Sequence, residues 1–178
     1  MNFDFSSMKV LLIGDFMIDH YFFGKSFRNS PEAPVPVVLP QKEYSVPGGA
    51  GNVALNLKSM GAQITCVGNV GIDEWGNQLL SILSEKDINV DFLIRKKNYQ
   101  TTLKKRIYSN GKQVLRIDTE DNTILKYNLS SINFDEYDVC VVSDYNKGKL
   151  KPRCTFNCTF STKLPISGSK GNSIGCRN

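Results

Sequence analysis

The chain has 178 residues, of which 40% are hydrophobic and 22% charged, enough apolar content for one globular domain or one domain with a small lobe. No run of about 18 apolar residues occurs, and the first residues carry neither a basic stretch nor an apolar stretch of signal length. A membrane segment and an export signal are therefore not expected, and a cytoplasmic protein is. The net charge of +5 does not mark a nucleic-acid binder: residues 1–150 hold 17 Lys/Arg and 17 Asp/Glu, while residues 151–178 hold five Lys/Arg and no acid.

Residues 8–13 are a short apolar run opening into Gly14-Asp15, the pattern of a buried parallel strand whose carboxyl end enters a turn. Residues 35–39 are β-branched and apolar, with Pro34, Pro36 and Pro40 in and around them. Proline cannot donate to a ladder, so this segment predicts an edge or lid strand. Pro47-Gly48-Gly49-Ala50-Gly51 is a glycine-rich turn. Residues 52–60 follow as a helix, with Val53, Leu57 and Met60 at helical spacing and Gly61 closing it. Residues 63–67 predict the next strand. Asp73 is placed to cap a second helix that buries Trp75, Leu79, Leu80, Ile82 and Leu83. Residues 90–94 predict another strand. Strand, helix, strand, helix, strand implies a parallel α/β sheet with right-handed crossovers.

Residues 101–108 and 113–117 alternate polar and apolar around Asn110-Gly111, a strong hairpin signal because both turn residues tolerate positive φ. This hairpin and the proline-rich strand do not fit the parallel core, and predict a small β lid from about 20–47 and 100–118. Residues 137–142 return to the continuous apolar style and end in Ser143-Asp144-Tyr145. Beyond Leu150 the chain has no acids, four serines, three threonines and no helical or strand period. That change sets a domain over 8–150 apart from a basic tail over 151–178, expected to be unstructured or out-of-frame sequence. Cys66 and Cys140 lie in apolar runs and read as buried thiols. Cys154, Cys158 and Cys176 lie in the tail, with no zinc-type spacing and far from the one histidine, His20, so no metal site is expected.

Taken alone, the glycine-rich turn either lets an anionic or hydroxylated ligand approach the backbone or makes a tight strand-to-helix turn. No Gly-Lys-Ser/Thr follows it, and no Gly-x-Gly-x-x-Gly stands at the first strand, so neither the P-loop nor the dinucleotide fingerprint is present.

Gly48-Gly49-Ala50-Gly51-Asn52-Val53-Ala54, with Gly61 and Gly71 at their offsets, resembles the N-terminal signature of the PfkB (ribokinase-like) carbohydrate kinases. Gly14-Asp15-Phe16-Met17-Ile18-Asp19 matches that family's first strand and turn. Ser30-Pro31-Glu32-Ala33-Pro34-Val35-Pro36-Val37, Leu115-Arg116-Ile117-Asp118 and Ser143-Asp144-Tyr145-Asn146-Lys147-Gly148 are similar to the bacterial heptose-7-phosphate kinase branch. The resemblance runs from about Met8 to Leu150. It implies the N-terminal half of a ribokinase-like α/β sheet with a β lid that, in this branch, also forms a homodimer. It further implies phosphorylation of heptose 7-phosphate at the anomeric hydroxyl, with ATP and Mg, for lipopolysaccharide core synthesis.

Carried over by position, the resemblance makes Asp19 an acceptor for sugar hydroxyls, with a helix cap or turn as its other reading. Gly48 and Gly49 would bring backbone to the sugar. Asn52 would bind it, act as the helix N-cap, or both. Arg28, Lys104 and Arg116 are candidates for the sugar's phosphate, each readable instead as a solvated lid charge. Asp144 ends a buried strand, where open α/β sheets bind ligands, and Lys147 either helps it or lies on the surface. The family's catalytic base sits in Gly-Ala-Gly-Asp, a sequence these 178 residues do not contain. No catalytic residue is therefore assigned, and the expectation is a truncated chain inactive by itself. The alternatives are a sugar-phosphate-binding or dimerising module without catalysis, and a site completed by a separate chain.

Overall fold

The computed structural model describes residues 5–121, 123, 129, 131–145 and 159–162. Two sheets share the chain. The core sheet has the order β5-β4-β1-β8-β9 and the lid sheet the order β3-β2-β6-β7.

The core begins with β1 (Lys9–Gly14). It pairs in parallel with β4 (Gln63–Gly71) on one side and β8 (Val139–Ser143) on the other, and β4 pairs in parallel with β5 (Asn89–Lys96). The crossovers are α1 (Ala50–Ser59) and α2 (Glu74–Ser84). The apolar runs are continuous because both sheet faces are covered. Val10, Leu12, Ile64, Cys66, Val70 and Val141 pack with Ala54, Leu79 and Leu83 from the helices, whereas Leu11, Ile13, Val67 and Ile132 form a cluster on the opposite face. Asp73 caps α2 as its sequence position predicts, its side chain accepting from the Gly76 amide. Gly61 has φ of 99°, directly after α1. Cys66 and Cys140 are free thiols, buried and half-buried. No described helix is long and apolar enough to cross a membrane.

The lid consists of β2 (Phe16–Asn29), β3 (Pro36–Gly49), β6 (Thr102–Ser109) and β7 (Lys112–Thr119). β3 is an edge strand, so Pro36, Pro40 and Pro47 are tolerated in it. Asn110 and Gly111, at φ of 50° and 79°, make the tight turn between β6 and β7. The lid strands begin and end beyond 20–47, because β2 follows β1 after the single residue Asp15 and β3 runs into α1 without a loop. β2 gives no alternating signal in the sequence. Met17, Tyr21 and Phe23 lie on one face and Ile18 and Phe22 on the other, so apolar residues occupy both.

Four residues of the tail are described: Thr159–Thr162 form β9, antiparallel to β8, which departs locally from the expectation of an unstructured segment. A strand edge left open by β8 offers a row of backbone groups that any extended segment can pair with. The rest of 151–178, with Cys154, Cys158 and Cys176, lies outside the described residues, as do Asn146, Lys147 and Gly148.

Candidate functional site

The site forms where the chain passes between sheets. The Asp15 amide donates to the Ser143 carbonyl at 3.0 Å, and the Asp15 carbonyl accepts from the Ala50 amide at 2.9 Å. The carboxylate of Asp15 accepts from the Tyr145 amide at 2.9 Å. These bonds draw together the carboxyl ends of β1 and β8 and the first turn of α1. Ligands of open α/β sheets bind at such ends.

Gly48 and Gly49 are required here by geometry. A Cβ on Gly48 would stand 2.3 Å from Oδ2 of Asp19, so the carboxylate rests directly on the glycine backbone. Gly49 has φ of 55°, and a Cβ there would lie 2.4 Å from the Asp15 carbonyl. Gly49, not Asn52, is the N-cap of α1, and no side chain caps that end. The cap reading of Asn52 is thus corrected: Asn52 is the third residue of the helix, and exposed. Asp19 is neither cap nor turn. It lies within β2, opposite Val46 on β3 and Lys104 on β6.

The partner of Asp19 is Arg106, a residue that the sequence reading did not single out. Nη2 of Arg106 donates to Oδ1 of Asp19 at 3.1 Å, and both side chains are largely covered. Burial lowers the Arg106 pKa, but the hydrogen bond to Asp19, its charge, and smaller contributions from Tyr21 and Tyr108 outweigh this and raise it. Nε of Arg106 is buried with no hydrogen-bond partner. The guanidinium also lies 5.9 Å from the Tyr21 ring centre, beside a stack of Tyr21, Phe23, Tyr44 and Tyr108. The available signal was spacing: Arg106 is two residues beyond Lys104 on one strand and so shares its face.

Lys104 reaches Asp118 at 3.6 Å and Glu120 at 3.9 Å, and Arg116 Nε reaches Asp118 at 2.9 Å. Arg106 and Arg116 stand directly opposite across β6 and β7. Like charges in that relation repel, and here each is offset by its own carboxylate, Asp19 for Arg106 and Asp118 for Arg116. Asp144 follows β8 immediately and is half-buried. The structure thus groups Asp19, Gly48, Lys104, Arg106 and Arg116 on the lid, while Asn52 lies in the first turn of α1 and Asp144 directly after β8. Arg28 does not join them. It is exposed and nine residues along β2 from Asp19, roughly 30 Å at the rise of a strand. Lys147 lies outside the described residues. Among the described residues no group of three or more His, Cys, Asp or Glu is arranged to hold a metal ion.

Residues 7–155 match the family described as pfkB family carbohydrate kinase. The chain belongs to that family. It is 42% identical over 149 residues to the bifunctional protein HldE of Sulfurimonas denitrificans, an alignment covering 80% of this chain and 31% of that protein. It is 40% identical over 165 residues to HldE of Campylobacter fetus subsp. fetus, covering 88% of this chain and 35% of that protein. The chain therefore spans about a third of the length of these curated relatives. Among solved structures it resembles a ribokinase from Cryptococcus neoformans var. grubii in complex with ADP, with a TM-score of 0.55, 20% identity, and coverage of 76% of this chain and 40% of that one. A carbohydrate kinase from Agrobacterium tumefaciens matches with a TM-score of 0.51, 19% identity, and coverage of 63% and 35%. At these identities the structures establish a ribokinase-like fold. The expectation of a PfkB-type α/β sugar kinase domain holds.

Proposed function

We propose that this chain supplies the acceptor-sugar side of a PfkB kinase acting on heptose 7-phosphate, in the cytoplasm, on the route to the lipopolysaccharide core. The observation that carries the reading is the Asp19 carboxylate lying on Gly48 and held at 3.1 Å by Arg106, in the angle between lid and core. A carboxylate is acceptor-only and can take two adjacent sugar hydroxyls, while Asn52 offers both donor and acceptor. Arg106, with Lys104 and Arg116, supplies donors for the 7-phosphate, which would take them over from Asp19, Asp118 and Glu120. When the phosphate takes over Arg106, the Asp19 oxygen it occupied is freed for a hydroxyl.

ATP with Mg would supply the transferred phosphoryl group. The described residues do not fit that role: they lack a carboxylate cluster for the metal, and their grouped cations lie on the lid. The chain's own contribution is to bind and orient the acceptor, which is a large part of catalysis in a reaction governed by positioning. The experiment is calorimetric titration of the purified chain with heptose 7-phosphate, accompanied by an ATP turnover assay. The expected result is binding that weakens about tenfold or more in Asp19→Ala, with no ATP-dependent turnover by these residues alone. Equal affinity of wild type and Asp19→Ala removes the sugar-site assignment, and genuine turnover overturns the binding-only role.

A second reading, a dimerising module, is favoured by the opposite face of the lid. Phe22, Val35, Pro36, Val38, Ile107 and Leu115 line an apolar groove of about 490 Å³ there. We assign it to a second copy of the chain, since contiguous apolar surface of this kind marks an association site. Sedimentation should then show a dimer that Leu115→Glu dissociates, and a monomer at all concentrations refutes it.

A further inference from the structure

Resting on the reading of the lid cations as the phosphate-holding group, we propose that Asp73 is a positioning residue that sets β6, and with it Lys104 and Arg106, over the sugar site. As the cap of α2, Asp73 needs one oxygen: Oδ1 accepts from the Gly76 amide at 2.7 Å. The same carboxylate also reaches the residue that precedes β6. Oδ1 accepts from the Thr101 hydroxyl at 2.8 Å, and Oδ2 accepts from the Thr101 amide at 2.7 Å. The Thr101 hydroxyl in turn accepts from the Gly71 amide at 2.9 Å, so the end of β4, the start of α2 and the entry to β6 are tied at one point. The knot is closed to any larger neighbour. A Cβ on Gly71 would stand 2.3 Å from Oδ2 of Asp73, and one on Gly76 would stand 2.3 Å from the Gly71 carbonyl. Thr101 is 2% exposed.

The consequence for the site follows from strand geometry. Lys104 and Arg106 lie three and five residues beyond Thr101, roughly 10 and 17 Å along an extended chain. β6 is laid parallel to β2 with Lys104 opposite Asp19. Among the described residues its other neighbour in the sheet is β7, which is an edge strand. A slip of one residue would turn both cations to the opposite face. The clamp ties the origin of β6 to the rigid core sheet, so the cations keep their place against a site whose other half is built from the core.

Asp73→Asn isolates this role. The retained Oδ1 still accepts from Gly76 and from the Thr101 hydroxyl, while the amide nitrogen in place of Oδ2 cannot accept from the Thr101 amide. The purified full chain is titrated with heptose 7-phosphate and with the unphosphorylated heptose, and its thermal midpoint is followed in parallel. Asp73→Asn is expected to weaken heptose 7-phosphate about tenfold and to leave the unphosphorylated sugar within about twofold. In an Arg106→Met background the same change should cost less for the phosphorylated sugar than it does in the wild type, because only Lys104 is left for the clamp to position. Wild-type affinity for heptose 7-phosphate in Asp73→Asn overturns the proposal. So does an equal loss for both sugars, the pattern of general loosening. If Asp73→Asn does not fold, Thr101→Val removes only the hydroxyl bonds and should give a smaller loss with the same preference, an unselective loss again overturning the proposal. A wild-type chain that binds neither sugar is a distinct outcome, which removes the proposed function and the clamp together.

Discussion

The core sheet and the lid sheet are built on opposite terms. The central core strands β1, β4 and β8 are parallel and apolar on both faces, and Leu11, Leu12 and Val10 are at most 1% exposed. Lid strands β2 and β3 are 14 residues long and pair antiparallel, and the lid leaves Leu39 of β3 and Val114, Leu115 and Ile117 of β7 about half exposed. The core places backbone ends with precision, and the lid carries the charged side chains. Asp19, Lys104, Arg106 and Arg116 all come from the lid, as do Gly48 and Gly49 at the end of β3, whereas the core contributes the strand ends and the first turn of α1. A sugar phosphate between them would be read by the lid's charges and located by the core's geometry.

The contrast can be broken most directly by truncation. Leu12→Ala in the core should cost about 2–5 kcal/mol in chemical denaturation, because a fully buried side chain leaves a cavity. Leu115→Ala on the lid should cost less than about 0.5 kcal/mol in the monomer. A lid cost that rises with protein concentration would sharpen the picture, showing that a second copy covers that face.

The next effect depends on pH. Burial pushes the Cys66 thiol up from 9.0 to about 12. Its folded pKa lies above the unfolded value, so the folded state keeps a proton that the unfolded state releases. The contribution is complete below about pH 9 and is lost as pH rises towards about 12. Denaturation across that window should show falling stability, and Cys66→Ala should show a shallower fall from a lower starting value. A decline of equal slope in both would remove Cys66 as its source.

The smallest contrast lies within the lid. Arg106→Met should weaken heptose 7-phosphate by about tenfold or more, since it removes a charge-assisted bond and leaves Asp19 unpaired. Arg28→Ala, at the far end of β2, should change affinity by less than about twofold. Equal effects would mean that the lid's total charge, not its geometry, attracts the phosphate.

The sequence by itself determined the parallel core, the α2 cap at Asp73, the Asn110-Gly111 hairpin and the family signature at Gly48-Gly49. Each is written in local chemistry: continuous apolar runs, a capping carboxylate, residues that tolerate positive φ. Only the tertiary structure decided that Asp19 pairs with Arg106, 87 residues away, and that Arg28 is left out. It also decided that Gly49, not Asn52, caps α1, and that the second oxygen of Asp73 reaches Thr101. β2 was hidden for a related reason, since apolar side chains on both faces erase the period of two. The physical cause is common to all of these. Strand pairing and register bring distant residues onto one face, and periodicity along a single strand carries no record of which neighbour it will meet.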